Sequence, residues 1–137
     1  FNLCSAAGLG SSGFYGGHEL THGFDSKGRE YDATGKMSKW WTQRDIAEFT
    51  NKAQCFVRQY SDIYDEEAEE RLSGTRNEVE NIADNGAISA ILLALDTTLR
   101  TTPKADVKLP GLEDRSPHEL LFLAYANVSK ALKHYIY

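Results

Sequence analysis

"GGHELTHGFD", residues 16–25, sets His18, Glu19 and His22 in the pattern H-E-x-x-H. On a helix, positions four apart lie one above the other on one face. His18 and His22 can therefore aim two imidazole nitrogens at one ion. Glu19, about 100° around the helix from His18, stands beside that ion without being forced to bind it. Two nitrogen ligands and a free carboxylate next to a metal are what a zinc hydrolase needs. The pattern also arises by chance, so its weight depends on a third ligand, because catalytic zinc takes three from the protein.

The third ligand is sought in "VENIADNG", residues 79–86. Glu80 and Asp84 are again four apart and share a helix face. Glu80 is the candidate ligand; the plainer alternative is a solvated glutamate favoured by a helix N-terminus. Asp84 can accept a hydrogen bond from the far nitrogen of a ligand histidine and so fix its tautomer. Glu78 is the rival carboxylate, but four residues on it meets Ile82, and it is expected to face solvent. The other two of the four histidines, His118 and His134, sit near the two ends of the last helix and are read as surface or capping residues.

The chain's 137 residues suffice for one domain with a core. A net charge of −5 with no lysine- or arginine-rich block argues against a nucleic-acid partner. No apolar run looks long enough to cross a bilayer; the longest, around "GAISAILLAL", fits a buried helix. The chain opens on Phe1, without an initiator methionine or a signal peptide, and is expected to be a mature product or a piece of something longer. Two cysteines, Cys4 and Cys55, make no disulfide framework.

Around the opening motif the elements read as mainly α-helical. Residues 1–13 read as loop or a weak helix start. The helix carrying "GGHELTHGF" contains Gly16, Gly17 and Gly23, so packing or metal must support it. A short hairpin is expected around Ala33–Gly35. Thr42 caps a helix with Asp45 three residues on. That helix should bury Ile46, Phe49, Ala53, Phe56, Val57 and Tyr60. "DEEAEERLSG" reads as a wet acidic surface. A third helix runs from about Glu78 to Leu99 on Ile82, Ile88, Ile91, Leu92 and Leu95. After a linker with Pro103 and Pro110, Ser116, Pro117 and Glu119 open the last helix with a capping box.

The segments "GHELTHGFDSKGREYDATGKMSKWWT", "AQCFVRQY", "ENIADNG" and "LPGLEDRSPHELLFLAYA" follow one another in this order. In that order the chain resembles the neprilysin family of zinc metallopeptidases, which includes the endothelin-converting enzymes. The resemblance runs from about Gly17 to Ala126. It implies a thermolysin-like, helical zincin subdomain, with residues 1–137 forming part of a metallopeptidase catalytic domain. His18, His22 and Glu80 would bind one Zn2+ per chain. Glu19 would be the general base that activates water, and Asp84 would orient a ligand histidine, His18 rather than His22. Asp25 occupies the family's acidic position after the second histidine and would support His22. The implied function is a zinc-dependent endopeptidase acting on short peptides, extracellular or as the ectodomain of a membrane-anchored parent.

The departures from the family pattern carry expectations too. No N-A-aromatic segment precedes His18, and the family's downstream histidine and arginine do not occur before Tyr137. The isolated chain is therefore expected to bind zinc but to cleave weakly or not at all, the alternative role being a binding or decoy module. "GFYGG" replaces apolar residues and predicts a weakened start to the zinc helix. Ala87 stands where a second glycine is usual. Cys55, without its family partner, should be free or mispaired. "NVS" at Asn127–Ser129 is a glycosylation sequon on a predicted helix, consistent with secretion.

Overall fold

A computed structural model describes residues 5–102 and 108–136, with side chains as far as residue 129. Cys4, Pro103 and the His134 side chain lie outside the described residues. The chain is mainly helical, as the sequence implies, and divides into two units: Phe1–Gly17 with Ala87–Tyr137, and His18–Gly86.

In the first unit, Ser5 caps α1 (Ala6–Gly8), its hydroxyl accepting the Gly8 N–H at 3.0 Å. The helix continues through a π-helical turn, Leu9–Gly13, into α2 (Phe14–His22). Of the two readings of residues 1–13, loop or weak helix start, the helix is found from Ala6 on, and the weak start expected from "GFYGG" is not found. Glycine propensity misled because here the glycines are points of close approach. A methyl group on Gly10 would lie 2.1 Å from the Leu121 carbonyl oxygen, and one on Gly17 3.1 Å from Ala87 Cα. Phe14 is buried with its ring centroid 4.6 Å from that of Tyr125. The core of this unit is Phe14, Ala87, Ile91, Leu95 and Leu121.

α4 (Glu78–Thr101) buries Ala83, Ala87, Ile91 and Leu95, four residues apart. The sequence reading identified the two large members of this stripe and passed over the alanines. By length and mean hydropathy alone α4 could cross a membrane, contrary to the expectation that no segment is long enough. Its acidic first turns and its place in the core fit a packed helix instead. α5 (Pro117–Ile136) opens with the expected box: Glu119 N–H donates to Ser116 Oγ at 3.2 Å, and Ser116 N–H to Glu119 Oε2 at 2.8 Å. Asn127 is exposed on this helix.

The second unit begins at His18, within α2. A 3-10 turn, Gly28–Glu30, leads to a bridge between Tyr31 and Met37 around Gly35, whose φ is +76°, so the hairpin expected there is present. α3 (Gln43–Ser61) has the Thr42–Asp45 capping box. Of its expected buried face only Ala53 is fully buried; Ile46, Phe49, Phe56, Val57 and Tyr60 are half-buried. Cys55 is exposed and free. The acidic segment is solvated as expected, but it also forms a small antiparallel hairpin, β1 (Tyr64–Asp65) with β2 (Glu70–Arg71).

Candidate metal centre

His18 and His22 stand on the last turns of α2, and Glu80 and Asp84 on the first turns of α4, all inside the second unit. The two helices meet there because Gly86 lets them. A methyl on Gly86 would fall 2.5 Å from Thr21 Cγ2 and 2.7 Å from its hydroxyl. Thr21 lies inside the H-E-x-x-H turn itself, so this contact fixes the spacing of the four side chains.

The imidazoles are held from behind. His18 Nδ1 is 2.8 Å from Asp84 Oδ1, and His22 Nδ1 is 2.6 Å from Asp25 Oδ2. An ionised carboxylate can only accept, so each Nδ1 carries a proton, and each Nε2 of a neutral ring turns a lone pair inward. The two Nε2 atoms are 2.9 Å apart, and Glu80 Oε2 lies 3.4 Å from one and 3.7 Å from the other. Three electron-pair donors thus converge with no donor proton required of any of them. Such a cluster is stable only around a shared proton or a cation. Ligands on tetrahedral zinc, with bonds of about 2.0–2.1 Å, are separated by about 3.3–3.4 Å. The observed spacings of 2.9, 3.4 and 3.7 Å scatter around that separation, the two nitrogens standing closer together than ligands on such an ion. His18, His22 and Glu80 form the group of this kind found among the described residues.

Asp25 does two jobs. Buried, it gives one oxygen to His22 and the other to the N–H groups of Lys27 and Gly28, at 2.8 and 2.7 Å. The hydrogen bond that His22 donates to Asp25 raises the His22 pKa above its ordinary 6.5; burial opposes this, and the negative charges of Glu80, Asp25 and Glu19 add to it. Glu19 is exposed, and its side chain makes no hydrogen bond among the described residues. No arginine or lysine among the described residues pairs with any of these carboxylates.

Glu78 does not face open solvent, as expected from its spacing; it is half-buried and accepts a 2.8 Å hydrogen bond from Ser26 Oγ. The partner comes from 52 residues away, beyond what helical spacing can read. His118 is exposed and paired with Asp96 at 2.8 Å. The roles of Ser26, Thr21 and Gly86 carried no chemical signal in the sequence. The Asp25–Gly28 turn did, since Asp followed by Gly three residues on is a common turn pattern.

The model of peptidase family M13 matches residues 1–134. The chain belongs to peptidase family M13. Among M13 relatives, neprilysin-21 of Caenorhabditis elegans is 39% identical over 88% of this chain and 16% of its own length. Neprilysin-3 of Drosophila melanogaster is 40% identical over 88% of this chain and 15% of its own. An endothelin-converting enzyme homolog of Locusta migratoria is 40% identical over 87% and 16%. The chain therefore spans about a sixth of the length of the relatives it matches. Among solved structures, it is similar to the zinc metalloprotease Zmp1 of Mycobacterium tuberculosis in complex with an inhibitor. That match has a TM-score of 0.78 and 30% identity over 90% of this chain and 19% of the other.

Proposed function

We propose that residues 1–137 are part of a metallopeptidase catalytic domain, and that His18, His22 and Glu80 hold one zinc ion per chain for peptide-bond hydrolysis. The observation that carries this reading is the convergence of His18 Nε2, His22 Nε2 and Glu80 Oε2, with both Nδ1 atoms already engaged by carboxylates. Zinc, when bound, supplies Lewis acidity that makes water a nucleophile near neutral pH and polarises a carbonyl.

The chain's own groups do the rest. Asp84 and Asp25 hold the imidazoles by accepting their Nδ1 protons, which keeps Nε2 basic. Glu19, exposed and uncommitted, takes a proton from the attacking water on its carboxylate and returns it to the departing amine nitrogen. A bound metal would itself be one stabiliser of the developing oxyanion, and a hydrogen-bond donor beside it a second; no arginine or lysine pairs with the carboxylates of this group among the described residues. Lack of one oxyanion donor lowers a rate by about 10²–10³-fold. That observation favours slow cleavage by these residues alone, and it equally supports a second reading, a zinc-binding module of little or no activity. An extracellular setting is supported by the exposed sequon at Asn127.

Glu19→Gln separates the readings. In the zinc-loaded protein it should leave zinc content intact and reduce hydrolysis of a short peptide by about 10²–10⁴-fold. Cleavage by the wild type that survives Glu19→Gln would remove Glu19 from the mechanism. No cleavage by either, with zinc retained, would favour the binding module.

A further inference from the structure

The three groups that converge on the metal centre are not held alike. His18 and His22 each have a carboxylate behind the ring, at 2.8 and 2.6 Å. Glu80 has no such support. Its side chain is 63% exposed, and the polar contacts found for it among the described residues are the two imidazoles themselves, at 3.4 and 3.7 Å. Where its carboxylate stands therefore depends on where the backbone of α4 begins, since Glu80 lies in the first turn of that helix. First-turn N–H groups have no intrahelical partners, and helix ends open at little cost. A contact from outside the helix is needed to keep Glu80 facing the histidines.

Glu78 opens α4 two residues before Glu80 and accepts a 2.8 Å hydrogen bond from Ser26 Oγ. Both residues are half-buried, so water competes less for the bond. Ser26 stands on a firmly held turn. Asp25, just before it, is buried and gives Oδ2 to His22 Nδ1 and Oδ1 to the N–H groups of Lys27 and Gly28. The Asp25 carbonyl also accepts the Arg29 N–H at 3.2 Å. The turn lies so hard against α2 that a methyl on Gly28 would overlap the His22 carbonyl oxygen. We propose that Ser26 and Glu78 are positioning residues of the metal centre: their hydrogen bond fixes the first turn of α4 against the turn that holds His22, and so sets where Glu80 meets the two histidines. The proposal rests on the metal-site reading above and adds the residues that place its third ligand.

The path closes on itself, within the second unit. From His22 it runs through Asp25 to Ser26, crosses the hydrogen bond to Glu78, and follows α4 to Glu80, whose carboxylate returns to His22 at 3.7 Å. Gly86 and Thr21 hold the same helix about two turns further on. Two fixed points define the direction of a helix, whereas the contact at Gly86 alone leaves the first turn free to open. A rival account needs no hydrogen bond: the Glu78 carboxylate attracts a nearby cation by its charge alone. Glu78→Gln separates the two, because the amide oxygen still accepts from Ser26 while the charge is gone.

The test is a set of zinc titrations on wild type, Ser26→Ala, Glu78→Ala, Glu78→Gln and the double variant Ser26→Ala with Glu78→Ala, with folding checked by circular dichroism. Ser26→Ala and Glu78→Ala should each weaken zinc binding about three- to tenfold, as loss of one hydrogen bond does. The double variant should be no weaker than the single ones, because both remove the same bond. Glu78→Gln should stay within about twofold of wild type. Cobalt(II) loaded in place of zinc gives a second readout, since its visible absorption follows the number and geometry of its ligands. That spectrum should change in both alanine variants and match wild type in Glu78→Gln. A lower Tm in the alanine variants with zinc affinity and cobalt spectrum unchanged would make the bond merely structural and overturn the proposal. Equal weakening by Glu78→Gln and Glu78→Ala, with Ser26→Ala unaffected, would assign the effect to charge and overturn it too. In either case zinc bound by the wild type marks a failure of the positioning alone, whereas a wild type without zinc marks failure of the metal reading itself.

Discussion

His18 and His22 differ in what stands behind them, and the difference has consequences for metal affinity. Asp84 is partly exposed and bonds only His18, whereas Asp25 is buried and also ties the following turn. Replacing a carboxylate that orients a ligand histidine costs about 10–100-fold in metal affinity. Asp84→Asn is expected to show that loss with the fold's stability little changed. Asp25→Asn should show the same loss together with a lower Tm, because the Lys27–Gly28 turn is disturbed as well; zinc titration and thermal melts would check both. The His22 pKa adds a pH dependence. Its folded value lies above 6.5, so the Asp25–His22 pair stabilises the metal-free fold fully below the unfolded pKa, and this is lost as pH rises through the raised one. Metal binding runs the opposite way, since the proton on His22 must leave. Zinc affinity should therefore fall about tenfold per pH unit, starting above pH 6.5 rather than below it, in a titration from pH 8 to 5. At this scale the sequence was informative because i, i+4 spacing is a local rule: His18 and His22 on one helix face, and Glu80 and Asp84 on another, are side chains that lie together in the structure. It failed at Glu78, whose Ser26 partner is set by tertiary packing.

The element that decides the centre is the crossing of α2 and α4 at Gly86 and Thr21. A Cβ at Gly86 has no room against the β-branched Thr21, whose short side chain cannot swing clear. Gly86→Ala should destabilise the protein by about 1–3 kcal/mol, and it should weaken zinc binding by moving Glu80 away from the histidines. The double variant Gly86→Ala with Thr21→Ala should recover much of both; unchanged zinc affinity in the single variant would show that the crossing does not set the ligand spacing. Helices with side-chain caps, α3 and α5, were legible because Thr42–Asp45 and Ser116–Glu119 encode their own starts. α1 and the π turn were not legible. Gly10 and Gly17 lower intrinsic propensity, and only their neighbours Leu121 and Ala87 explain why glycine is needed. The β1–β2 hairpin escaped notice because strands of two residues leave no alternating pattern.

At the scale of the molecule, the two units are unequal in how they are held. The first has a contiguous apolar core from Phe14 to Leu121. The second buries Ala53 and Ala83 among its apolar residues, and otherwise Asp25 and Asn81. A unit with so little buried hydrocarbon gains much from a metal, because binding free energy adds to folding free energy. Leu93, Phe122 and Leu123 of the first unit stay exposed. The division into units was not legible, since it depends on which halves of α2 and α4 pack with which neighbours. The mainly helical class was legible, because it follows from periodicity and caps. The central claim is that three side chains of the second unit hold one zinc ion. The most direct test is the zinc content of the purified chain beside His18→Ala and Glu80→Ala, with folding of each checked by circular dichroism. One zinc per wild-type chain, lost in both folded variants, is the expected result. No zinc in the wild type, or zinc indifferent to Glu80→Ala, would contradict it.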